Sequence, residues 1–519
     1  CPIHQDIPEY IELCRKGAYA SALRLITEKN PLPFITGTIC AHNCMTKCMR
    51  NYYDEPVNIR ATKLVAAEKG YDAYMSKITP PAPVTDGRKV AVIGGGPTGM
   101  SAAYFVGRAG IPVTLFEKVD RLGGIVRQVI PAFRISDEAI DKDVALMEKM
   151  GVEVKLNTEA PSVAELKAQG YTHIFFAVGA WKAGRLDIPG NVVPVIGWLR
   201  DMKAGKDVSL GHVAVVGGGN TAMDAARAAL RAGAKSSTLV YRRTKKYMPA
   251  DAEELEMAIA DGVEFLELVA PVEQKDGKLI CEKMKLGDPD DKGRRKPVPT
   301  GEMVEIPCDT VVSAVGEKVE SEVFTRNGIT VDEKGIPAFK TNLEGVYAGG
   351  DAMRGPATVV EGIADAQYFA NAVIGEAHKF AIPAKAVATR EEAVAKKGVL
   401  CESAKCEGNR CLTCNVVCQV CADVCPNRAN VVIELPDGRQ QILHVDRMCN
   451  ECGNCAVFCP YDSAPYREKF TLFLTREGFD ESVNNQGFLP LGGKKVLVRL
   501  DSKVFEADLD AKNDLPADI

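Results

Sequence analysis

The sequence lacks the features that mark membrane-spanning, exported and nucleic-acid-binding proteins. No apolar run in its 519 residues approaches the ~18–20 residues that a membrane helix needs, and no signal-peptide pattern opens the chain. The formal net charge of -5 and the pI near 5.9 leave no basic field for phosphate backbones. We therefore expect a cytoplasmic protein with no membrane span and no nucleic acid partner, folded as roughly three or four domains.

Cysteine is nearly absent from the middle of the chain and dense at its two ends. Of the 18 cysteines, residues 1–48 hold five and residues 401–459 hold eleven, while Cys281 and Cys308 stand alone between them. A disulfide-stapled protein would be small, with evenly spaced cysteines, so this distribution favours metal ligation in a reducing cytosol. The scarcity in the middle also means that residues 89–381 contain no Cys-x-x-Cys pair.

Between residues 89 and 381, short β-branched runs alternate with amphipathic segments. This alternation predicts the α/β class, with parallel sheets wrapped by helices. A proline-rich linker precedes the region and an Ala-, Lys- and Glu-rich connector follows it. The predicted strands are Val90–Ile93, Val113–Phe116, Ile174–Val178, Val213–Val216, Thr238–Tyr241 and Thr310–Val315.

The first strand leads directly into a glycine loop of sequence GGGPTG. Gly94 permits a tight turn, Gly96 lets the backbone approach a pyrophosphate, and Gly99 lets the helix that starts near Pro97 pack on the strand. The pyrophosphate then lies at the helix N-terminus, where free N–H groups and the helix dipole favour an anion. Because the next strand ends at Glu117, an acid suited to a ribose hydroxyl, we predict a dinucleotide site here.

A second loop with the same spacing follows about 120 residues later. Its residues are Gly217, Gly219, Asn220, Thr221 and Ala222. The strand after it ends in Arg242 and Arg243 and has no acid there. An acid would repel a 2′-phosphate, whereas two arginines hold it through forked, charge-assisted hydrogen bonds. We therefore predict NADPH rather than NADH at this loop.

Two dinucleotide motifs in one sheet-rich region predict two stacked dinucleotides, a flavin and its nicotinamide reductant. Further along the chain, Gly350 and Asp351 at a strand end can reach the ribityl chain of a flavin. The helix that begins at Thr358 and Val359 can point its N-terminus at the isoalloxazine ring. Since the cofactors carry out hydride transfer themselves, no acid–base pair of side chains is required, and the catalytic residues stay unassigned.

The C-terminal cysteines follow the spacing of bacterial ferredoxins. The run C-x2-C-x2-C-x3-C-P begins at Cys449, and an upstream run that begins at Cys414 is the same with one residue added. In such pairs the fourth cysteine of a run ligates the other cluster, and this is not the spacing of a zinc site. We predict two [4Fe–4S] clusters. One is held by Cys425, Cys449, Cys452 and Cys455, and the other by Cys414, Cys418, Cys421 and Cys459.

Three thiols close to the ferredoxin runs have no place in them: Cys401, Cys406 and Cys411. They either hold a further cluster with an outside ligand or remain extra thiols beside a cluster. In a third arrangement, Cys411 takes the place of Cys414.

The N-terminal cysteines form a second group. Cys40, Cys44 and Cys48, each separated by three residues, offer three metal ligands on a turn-rich stretch. Cys1, followed by proline, looks like the end of another such run. Cys14 lies in a helical pattern, which predicts a packed core thiol.

Together these features resemble the small subunit of glutamate synthase and the flavin half of dihydropyrimidine dehydrogenase. The likeness covers residues 1–380. Besides the two glycine loops, it rests on Cys1–Pro8, Thr36–Cys44, Leu122–Gly124, Ile130–Arg134, Tyr241–Arg243, Met248–Pro249 and Gly349–Asp351. With its ferredoxin module, the chain also resembles the selenate-reductase-type iron–sulfur flavoprotein subunits that accompany molybdenum hydroxylases.

The resemblance implies FAD at the first loop, NADPH at the second, and one or two N-terminal [4Fe–4S] clusters. It extends the expected flavin site to Gly124, Arg127 and Gly179. The expected N-terminal cluster ligands are Cys1, Cys40, Cys44 and Cys48.

Two departures from the family pattern affect the N-terminal clusters. In the family, Cys1 would close a cysteine run whose earlier members lie upstream, so we expect polypeptide to precede it. The family also has a Glu or Gln cluster ligand where this chain has Lys63. Because an ammonium group is a poor metal ligand, one cluster lacks an obvious fourth ligand.

The predicted architecture has two Rossmann-like domains of the disulfide-reductase type between two iron–sulfur domains. The predicted order is a helical iron–sulfur domain (1–80), an FAD-binding domain (88–205 and 335–381), an NADPH-binding domain (206–334), a linker (382–400), a ferredoxin-like domain (401–470) and a loosely ordered tail (471–519).

The expected function is electron transfer between NADPH, FAD and [4Fe–4S] clusters, to or from a partner domain or subunit. A molybdenum hydroxylase or another reductase subunit is the kind of partner that the resemblance implies. A flavoprotein thiol–disulfide reductase is the alternative, but it needs a Cys-x-x-Cys pair beside the flavin, and residues 89–381 lack one. A non-catalytic redox-sensing module would not need so many electron carriers.

Overall fold

The computed structural model describes residues 1–52, 55–208, 210–289, 295–375, 403–411, 419–434, 440–459, 463–482, 485–500, 503–511 and 515. The chain divides into two compact units. The first comprises Cys1–Gln5, Tyr19–Ala41 and Lys63–Ile382, and the second comprises Asp6–Ala18, His42–Thr62 and Pro383–Ile519. Residues 1–80, which we predicted as one domain, are therefore shared between the two units. The predicted linker at 382–400 lies outside the described residues.

The secondary structure is numbered here in chain order. The helices are α1 (Ile7–Arg15), α2 (Tyr19–Thr27), α3 (Pro33–Ile39), α4 (Asn43–Thr46), α5 (Ile59–Met75), α6 (Pro97–Arg108), α7 (Gly124–Gln128), α8 (Asp137–Glu148), α9 (Val163–Ala168), α10 (Val195–Lys203), α11 (Asn220–Arg231), α12 (Ala252–Ala260), α13 (Glu322–Thr325), α14 (Asp351–Arg354), α15 (Val359–Ile374), α16 (Ala404–Arg410), α17 (Val420–Asp423), α18 (Asn454–Val457), α19 (Pro465–Glu468) and α20 (Arg476–Glu481). The strands are β1 (Val90–Ile93), β2 (Val113–Phe116), β3 (Glu153–Lys155), β4 (His173–Phe176), β5 (Lys182–Ala183), β6 (Val192–Pro194), β7 (His212–Val216), β8 (Ser236–Tyr241), β9 (Glu264–Glu267), β10 (Val269–Lys275), β11 (Lys278–Pro289), β12 (Arg295–Pro307), β13 (Thr310–Ser313), β14 (Glu317–Lys318), β15 (Val346–Ala348), β16 (Asn430–Glu434), β17 (Gln440–Val445), β18 (Thr471–Leu472), β19 (Gly487–Gly492), β20 (Lys495–Leu500) and β21 (Lys503–Asp508). Within the described residues, no helix is long and apolar enough to cross a membrane.

The first unit contains a five-stranded sheet in the order β15-β4-β1-β2-β3, with every pairing parallel. Strands β1 and β2 are buried along their whole length, as expected for a parallel sheet covered by helices. The structure confirms the predicted bounds of both strands, whereas β4 starts one residue earlier and ends two residues earlier than predicted. The carboxyl ends of β1 and β2 lead into Gly94 and Glu117, so both candidate cofactor residues lie at one edge of the sheet.

A second five-stranded parallel sheet in the same unit has the order β6-β13-β7-β8-β9. Its strands β7, β8 and β13 correspond to three of the predicted strands, with ends shifted by one or two residues. An antiparallel ribbon, β10-β11-β12, and a short pair, β5-β14, complete this region. The predicted α/β class with two parallel Rossmann-like sheets is therefore confirmed.

One N-terminal helix of the first unit is anchored by a buried carboxylate. Asp143 of α8 accepts hydrogen bonds from the backbone N–H groups of Phe34 (3.1 Å) and Ile35 (2.8 Å) in the first turn of α3. These two N–H groups have no partner within their helix, so the carboxylate caps them. Burial raises the pKa of Asp143 well above its usual value, and the nearby charge of buried Lys63 acts in the opposite direction.

In the second unit, α16 packs against α1 through a glycine and a buried ion pair. A Cβ at Gly408 would lie 3.0 Å from the carbonyl oxygen of Ile11, so the two helices are in close contact. Arg410 pairs with Glu407 (2.7 Å) and also donates to the carbonyl oxygen of Glu55 (2.6 Å). The segment that carries Cys406 and Cys411 is thus anchored on residues of the N-terminal region.

The C-terminal part of the second unit is a mixed six-stranded sheet in the order β16-β17-β18-β19-β20-β21. Residues 471–519, which we expected to form a loosely ordered tail, contribute four of these strands, so that prediction is wrong. Alternate residues Val496, Val498 and Leu500 of β20 are buried in a small core, which is the pattern of a strand. The acidic composition of the last residues concealed this alternation.

Candidate cofactor and iron–sulfur sites

The first glycine loop joins β1 to α6 with backbone geometry that requires glycine. Gly94 has a φ of +104°, and a Cβ there would lie 2.5 Å from the carbonyl oxygen of Ala177. A Cβ at Gly99 would overlap the carbonyl oxygen of Gly94, so only glycine lets α6 pack this closely on the loop. Gly96 and the start of α6, at Pro97 and Thr98, line the space beyond the sheet.

Glu117 at the end of β2 is held in place by the same loop. Its carboxylate accepts hydrogen bonds from the backbone N–H groups of Gly95 (2.7 Å) and Val119 (3.0 Å). The side chain is buried and lines the cavity above the loop. The acid that we predicted to contact a ribose is thus oriented before any ligand binds.

These elements surround a cavity of about 690 Å³, large enough for a dinucleotide. Most of the predicted flavin contacts line it, namely Gly94, Gly96, Pro97, Glu117, Gly124, Gly179, Asp351, Thr358 and Val359. Gly99 and Gly350 do not line the cavity themselves. Gly350 packs directly against Thr98, which does line it, since a Cβ at Gly350 would overlap the hydroxyl of Thr98. The residues present therefore fit an FAD with its pyrophosphate on the first loop.

Arg127 differs from the prediction that it contacts the cofactor, because it does not line this cavity. Its guanidinium donates to the carbonyl oxygen of Leu122 and pairs with Asp141, both at 2.5 Å. It is nearly fully buried, at 5% exposed. Through its bond to Leu122, Arg127 stabilises the turn before Gly124, and Gly124 lines the cavity.

The start of α15 points into the cavity from the opposite side. Thr358 donates its hydroxyl to the carboxylate of Glu361 (2.7 Å), and its N–H also bonds there (2.9 Å), which caps the helix. Nearby, Asp351 accepts from the N–H of Ala357 (3.1 Å). Burial raises the pKa of Asp351 to about 7.

The second glycine loop joins β7 to α11 in the same way but with more room. Ala222 stands where the first loop has Gly99, and it is fully buried. A Cβ at Gly219 would meet nothing within 4 Å. Beyond β8, Arg242 is exposed and Arg243 half-buried, and the Nε atom of Arg243 is buried without a hydrogen bond among the described residues. This donor fits the 2′-phosphate of NADP.

The second loop and the start of α15 meet at a second cavity of about 200 Å³. It is lined by Asn220 and Thr221 from the second loop and by Asp351, Thr358 and Val359 from the first site. The predicted residues of the two dinucleotide sites are therefore brought together. Sequence reasoning did not predict that Arg134, Asp224 and Glu317 line this cavity. It predicted Cys40 as a cluster ligand but not as a residue of this lining.

In the C-terminal sheet domain, four predicted cluster ligands surround one small cavity. They are Cys425, Cys449, Cys452 and Cys455. The backbone N–H of Ala429 donates to the sulfur of Cys425 (3.2 Å), and that of Glu451 donates to the sulfur of Cys449 (3.3 Å). Such bonds stabilise negative charge on thiolates, so the donor set fits an iron–sulfur cluster.

The other predicted cluster in this domain is only partly covered by the described residues. Cys421 is buried and Cys459 half-buried, whereas Cys414, Cys418 and the neighbouring Cys401 lie outside the described residues. Across the described part of the chain, no three His, Cys, Asp or Glu side chains converge on a position for a single metal ion. The ligands of a [4Fe–4S] cluster bind separate irons and surround a volume, so they need not converge on one point.

The N-terminal cysteines differ in environment. Cys40, Cys44 and Cys48 are half-buried and Cys1 is exposed. Cys14 is fully buried and packs near the carbonyl of Thr62, and burial raises its pKa to about 12, as expected for a core thiol.

Two family models match the chain. A model described as pyridine nucleotide-disulphide oxidoreductase matches residues 88–366. A second, described as dihydropyrimidine dehydrogenase domain II, 4Fe-4S cluster, matches residues 1–73. The first model covers the two parallel sheets and both glycine loops, and the second covers the N-terminal cysteines.

Curated relatives agree with these models. The chain is 41% identical to YgfK of Escherichia coli K12, over 100% of this chain and 53% of YgfK. It is 36% identical to the beta subunit of the NADP(+)-dependent formate dehydrogenase of Moorella thermoacetica, over 70% of this chain and 57% of that subunit. It is 32% identical to the small chain of the NADPH glutamate synthase of Halomonas elongata, over 70% of this chain and 84% of that one. The chain thus spans about half the length of YgfK.

Among solved structures, FprA from Mycobacterium tuberculosis in complex with NADPH is similar over 55% of this chain and 84% of FprA, at 21% identity and a TM-score of 0.47.

The loops, the cavities beside them and the cysteine-rich ends fit a flavin, a nicotinamide dinucleotide and iron–sulfur clusters. The chain belongs to the pyridine nucleotide-disulphide oxidoreductase family. It is related to glutamate synthase small chains, and its residues 1–73 match a 4Fe-4S cluster domain.

Proposed function

We propose that this chain is an electron-transfer subunit that moves electrons between NADPH, FAD and [4Fe–4S] clusters, to or from a partner domain or subunit. The observation that carries the proposal is the cavity of about 200 Å³ where the second glycine loop meets the start of α15. A nicotinamide held by that loop would lie beside a flavin held by the first. FAD supplies the exchange between two-electron hydride chemistry and one-electron cluster chemistry.

In this proposal each loop holds one cofactor. FAD is held by Gly94, Gly96, Pro97, Gly99, Glu117, Gly124, Gly179, Gly350, Asp351, Thr358 and Val359. NADPH is held by Gly217, Gly219, Asn220, Thr221, Arg242 and Arg243. The chain's own part is to bind the two pyrophosphates at the starts of α6 and α11, to orient the rings, and to exclude water from the space between them.

The preference for NADPH rests on the two arginines that follow β8. An exposed guanidinium and a half-buried one lie at the position where NAD-binding domains carry an acid. The names of two relatives, an NADP(+)-dependent formate dehydrogenase and an NADPH glutamate synthase, point the same way.

The clusters would connect the flavin to the partner. Cys40 lines the cavity beside the flavin site, so a cluster that it ligates would be close to the flavin. Cys48 would belong to a second N-terminal cluster. In the C-terminal domain, the four cysteines around the small cavity would hold one cluster, and Cys414, Cys418, Cys421 and Cys459 a second.

The partner would be another subunit or a further part of the same protein. The matched formate dehydrogenase relative is by name a beta subunit, and the glutamate synthase relative a small chain, so both work within larger assemblies. A molybdenum hydroxylase or another reductase subunit would accept or supply the electrons. This chain would act as the nicotinamide-facing half of such an assembly.

Anaerobic stopped-flow reduction by NADPH tests the proposal directly. Absorbance is followed at flavin and at iron–sulfur wavelengths in the full chain. We expect flavin bleaching followed by cluster reduction, and faster reduction with NADPH than with NADH. Flavin bleaching without any cluster reduction would contradict the proposal.

Replacing a cysteine of the small cavity tests the C-terminal cluster. Cys452→Ser should lower the iron content per FAD by up to about four and change the electron paramagnetic resonance spectrum of the reduced protein. Cys281→Ser is the matched control, because Cys281 is a buried thiol in the core of the second sheet. Equal iron content in the two variants would contradict this cluster assignment.

A thiol–disulfide reductase function finds no support at the cavities. Cys281 and Cys308 are fully buried and line neither of them. Burial raises the pKa of Cys281 to about 12 and that of Cys308 to about 11, which suppresses the thiolate that disulfide exchange needs.

A further inference from the structure

The segment between α7 and α8 reaches across to the second parallel sheet. It belongs to the flavin-site half of the first unit, and its residues Phe133 and Arg134 contact helices α11 and α12 beside the second sheet. Helix α11 starts at Asn220, within the second glycine loop, so a displacement of α11 also displaces that loop.

Arg134 forms a two-pronged ion pair with both helices. Its Nη1 lies 2.5 Å from a carboxylate oxygen of Asp224 on α11, and its Nη2 lies 2.6 Å from one of Glu254 on α12. The three side chains are only 13%, 8% and 5% exposed. A guanidinium that binds two carboxylates away from water fixes their orientation as well as their distance.

Phe133 adds a second contact to the same helix. The guanidinium groups of Arg227 and Arg231 lie 5.0 Å and 4.5 Å from the centre of its ring. Both arginines are on α11 and are also paired with Asp261 (2.9 Å and 2.8 Å). The helix is therefore held by a cation–π contact one and two turns beyond the ion pair.

Lys203 fixes the other end of the segment. Its ammonium group donates to the carbonyl oxygen of Ile130 at 2.6 Å, from the end of helix α10. Burial lowers the pKa of Lys203, which is consistent with its position inside the contact.

This contact lies at the point where the two cofactor sites meet. Arg134 and Asp224 both line the cavity of about 200 Å³, together with Asn220 and Thr221 of the second loop. We propose that Phe133 and Arg134 form a latch that holds α11, and with it the nicotinamide, in the orientation that hydride transfer to the flavin requires. Arg134 is thus a positioning residue, and this role depends on the proposed transfer between NADPH and FAD.

The latch makes a specific kinetic prediction. Without it the nicotinamide domain can still bind NADPH through its own loop and arginines, but the reacting carbons are less well aligned. A misplacement of about 1 Å can slow a reaction on the order of 10²-fold. We expect Arg134→Lys, which keeps the charge but loses the two-pronged geometry, to lower the limiting rate of flavin reduction at least about tenfold, with little change in the NADPH concentration at half-saturation.

The test is anaerobic stopped-flow reduction of the full chain with NADPH and with NADPH deuterated at the transferred position. Arg134→Lys, Arg134→Met and Phe133→Leu are compared with wild type, and Arg476→Met, which removes an exposed pair with Asp480, is the control. Slower flavin reduction with a changed isotope effect, together with normal FAD content, supports the latch. A wild-type rate and isotope effect in Arg134→Met overturn it.

Two other outcomes also decide the question. Loss of FAD from Arg134→Lys would overturn the proposal, because it would assign the ion pair to stability rather than orientation. If wild type itself is not reduced by NADPH but is reduced by dithionite, the proposed function fails, whereas a latch defect appears only as a difference between variant and wild type.

Discussion

The two glycine loops have the same spacing, yet they build different sites. The first faces a cavity of about 690 Å³ and has Gly99 where the second has Ala222. The acid after β2, Glu117, is hydrogen-bonded back to its own loop, whereas the strand of the second site ends in an exposed Arg242. One site is surrounded by protein on several sides, and the other presents charge at its rim.

This difference separates a resident cofactor from an exchanging one. A ligand contacted by the first loop, by Glu117 and by the start of α15 loses most of its exposure to water and leaves slowly. Exposed positive charge at the rim of the second site instead attracts a phosphorylated ligand and speeds its association. Under the proposed function, the comparison predicts that FAD stays bound through many turnovers while NADPH exchanges.

The largest expected effect comes from replacing Gly99 of the first loop with alanine, the residue that the second loop has at the same position, Ala222. Gly99→Ala places a Cβ against the carbonyl oxygen of Gly94, so α6 must move away from the loop. We expect a loss of about 3 kcal/mol in the free energy of unfolding and purification largely without FAD. Thermal unfolding and the ratio of FAD to protein measure both effects, and a variant that retains FAD and stability would break the comparison.

The second prediction concerns the arginines at the rim. Arg242→Gln with Arg243→Gln removes the charges proposed to hold the 2′-phosphate, each hydrogen bond to a charged group contributing about 1.5–3 kcal/mol. The ratio of kcat/KM for NADPH over NADH should fall about 10²-fold or more. FAD content should not change, and an unaltered ratio would show that these side chains do not read the phosphate.

A smaller effect is expected at the acid of the first site. Glu117→Gln keeps an oxygen for the loop but loses the charge that strengthens its bonds with the N–H groups of Gly95 and Val119. We expect FAD affinity to fall about tenfold, equivalent to about 1.4 kcal/mol. Titration of the apoprotein with FAD, followed by fluorescence, measures this, and unchanged affinity would separate Glu117 from the flavin.

The sequence predicted the loops well because their constraints are local. The glycines, the buried strands β1 and β2 and the charges after each second strand lie within short stretches, so spacing alone indicates them. The pairing of Cys425 with the run that begins at Cys449 was also predictable, because the spacing rule includes the exchange between runs.

Contacts between distant segments could not be predicted in the same way. Arg134 meets Asp224 across ninety residues of sequence, and nothing near either residue indicates the pairing. Arg127 has the appearance of a cofactor ligand, but in the folded chain its guanidinium donates to the carbonyl oxygen of Leu122 and pairs with Asp141. The strands after residue 471 were missed because acidic composition outweighed a short alternating pattern.

The smallest expected effect on stability comes from a substitution at Gly219 of the second loop, which tests whether this glycine is needed for folding or for binding. Gly219 has a φ of -94°, and a Cβ there meets nothing within 4 Å, so the folded protein accepts alanine without strain. Gly219→Ala should leave the free energy of unfolding unchanged or raise it by about 0.4–1 kcal/mol, since alanine restricts the unfolded chain. Binding should nevertheless weaken, because the added methyl group stands where the pyrophosphate approaches the backbone. Denaturant unfolding and NADPH titration of the same variant measure the two effects, and a loss of stability without weaker binding would mean that this glycine serves the fold and not the ligand.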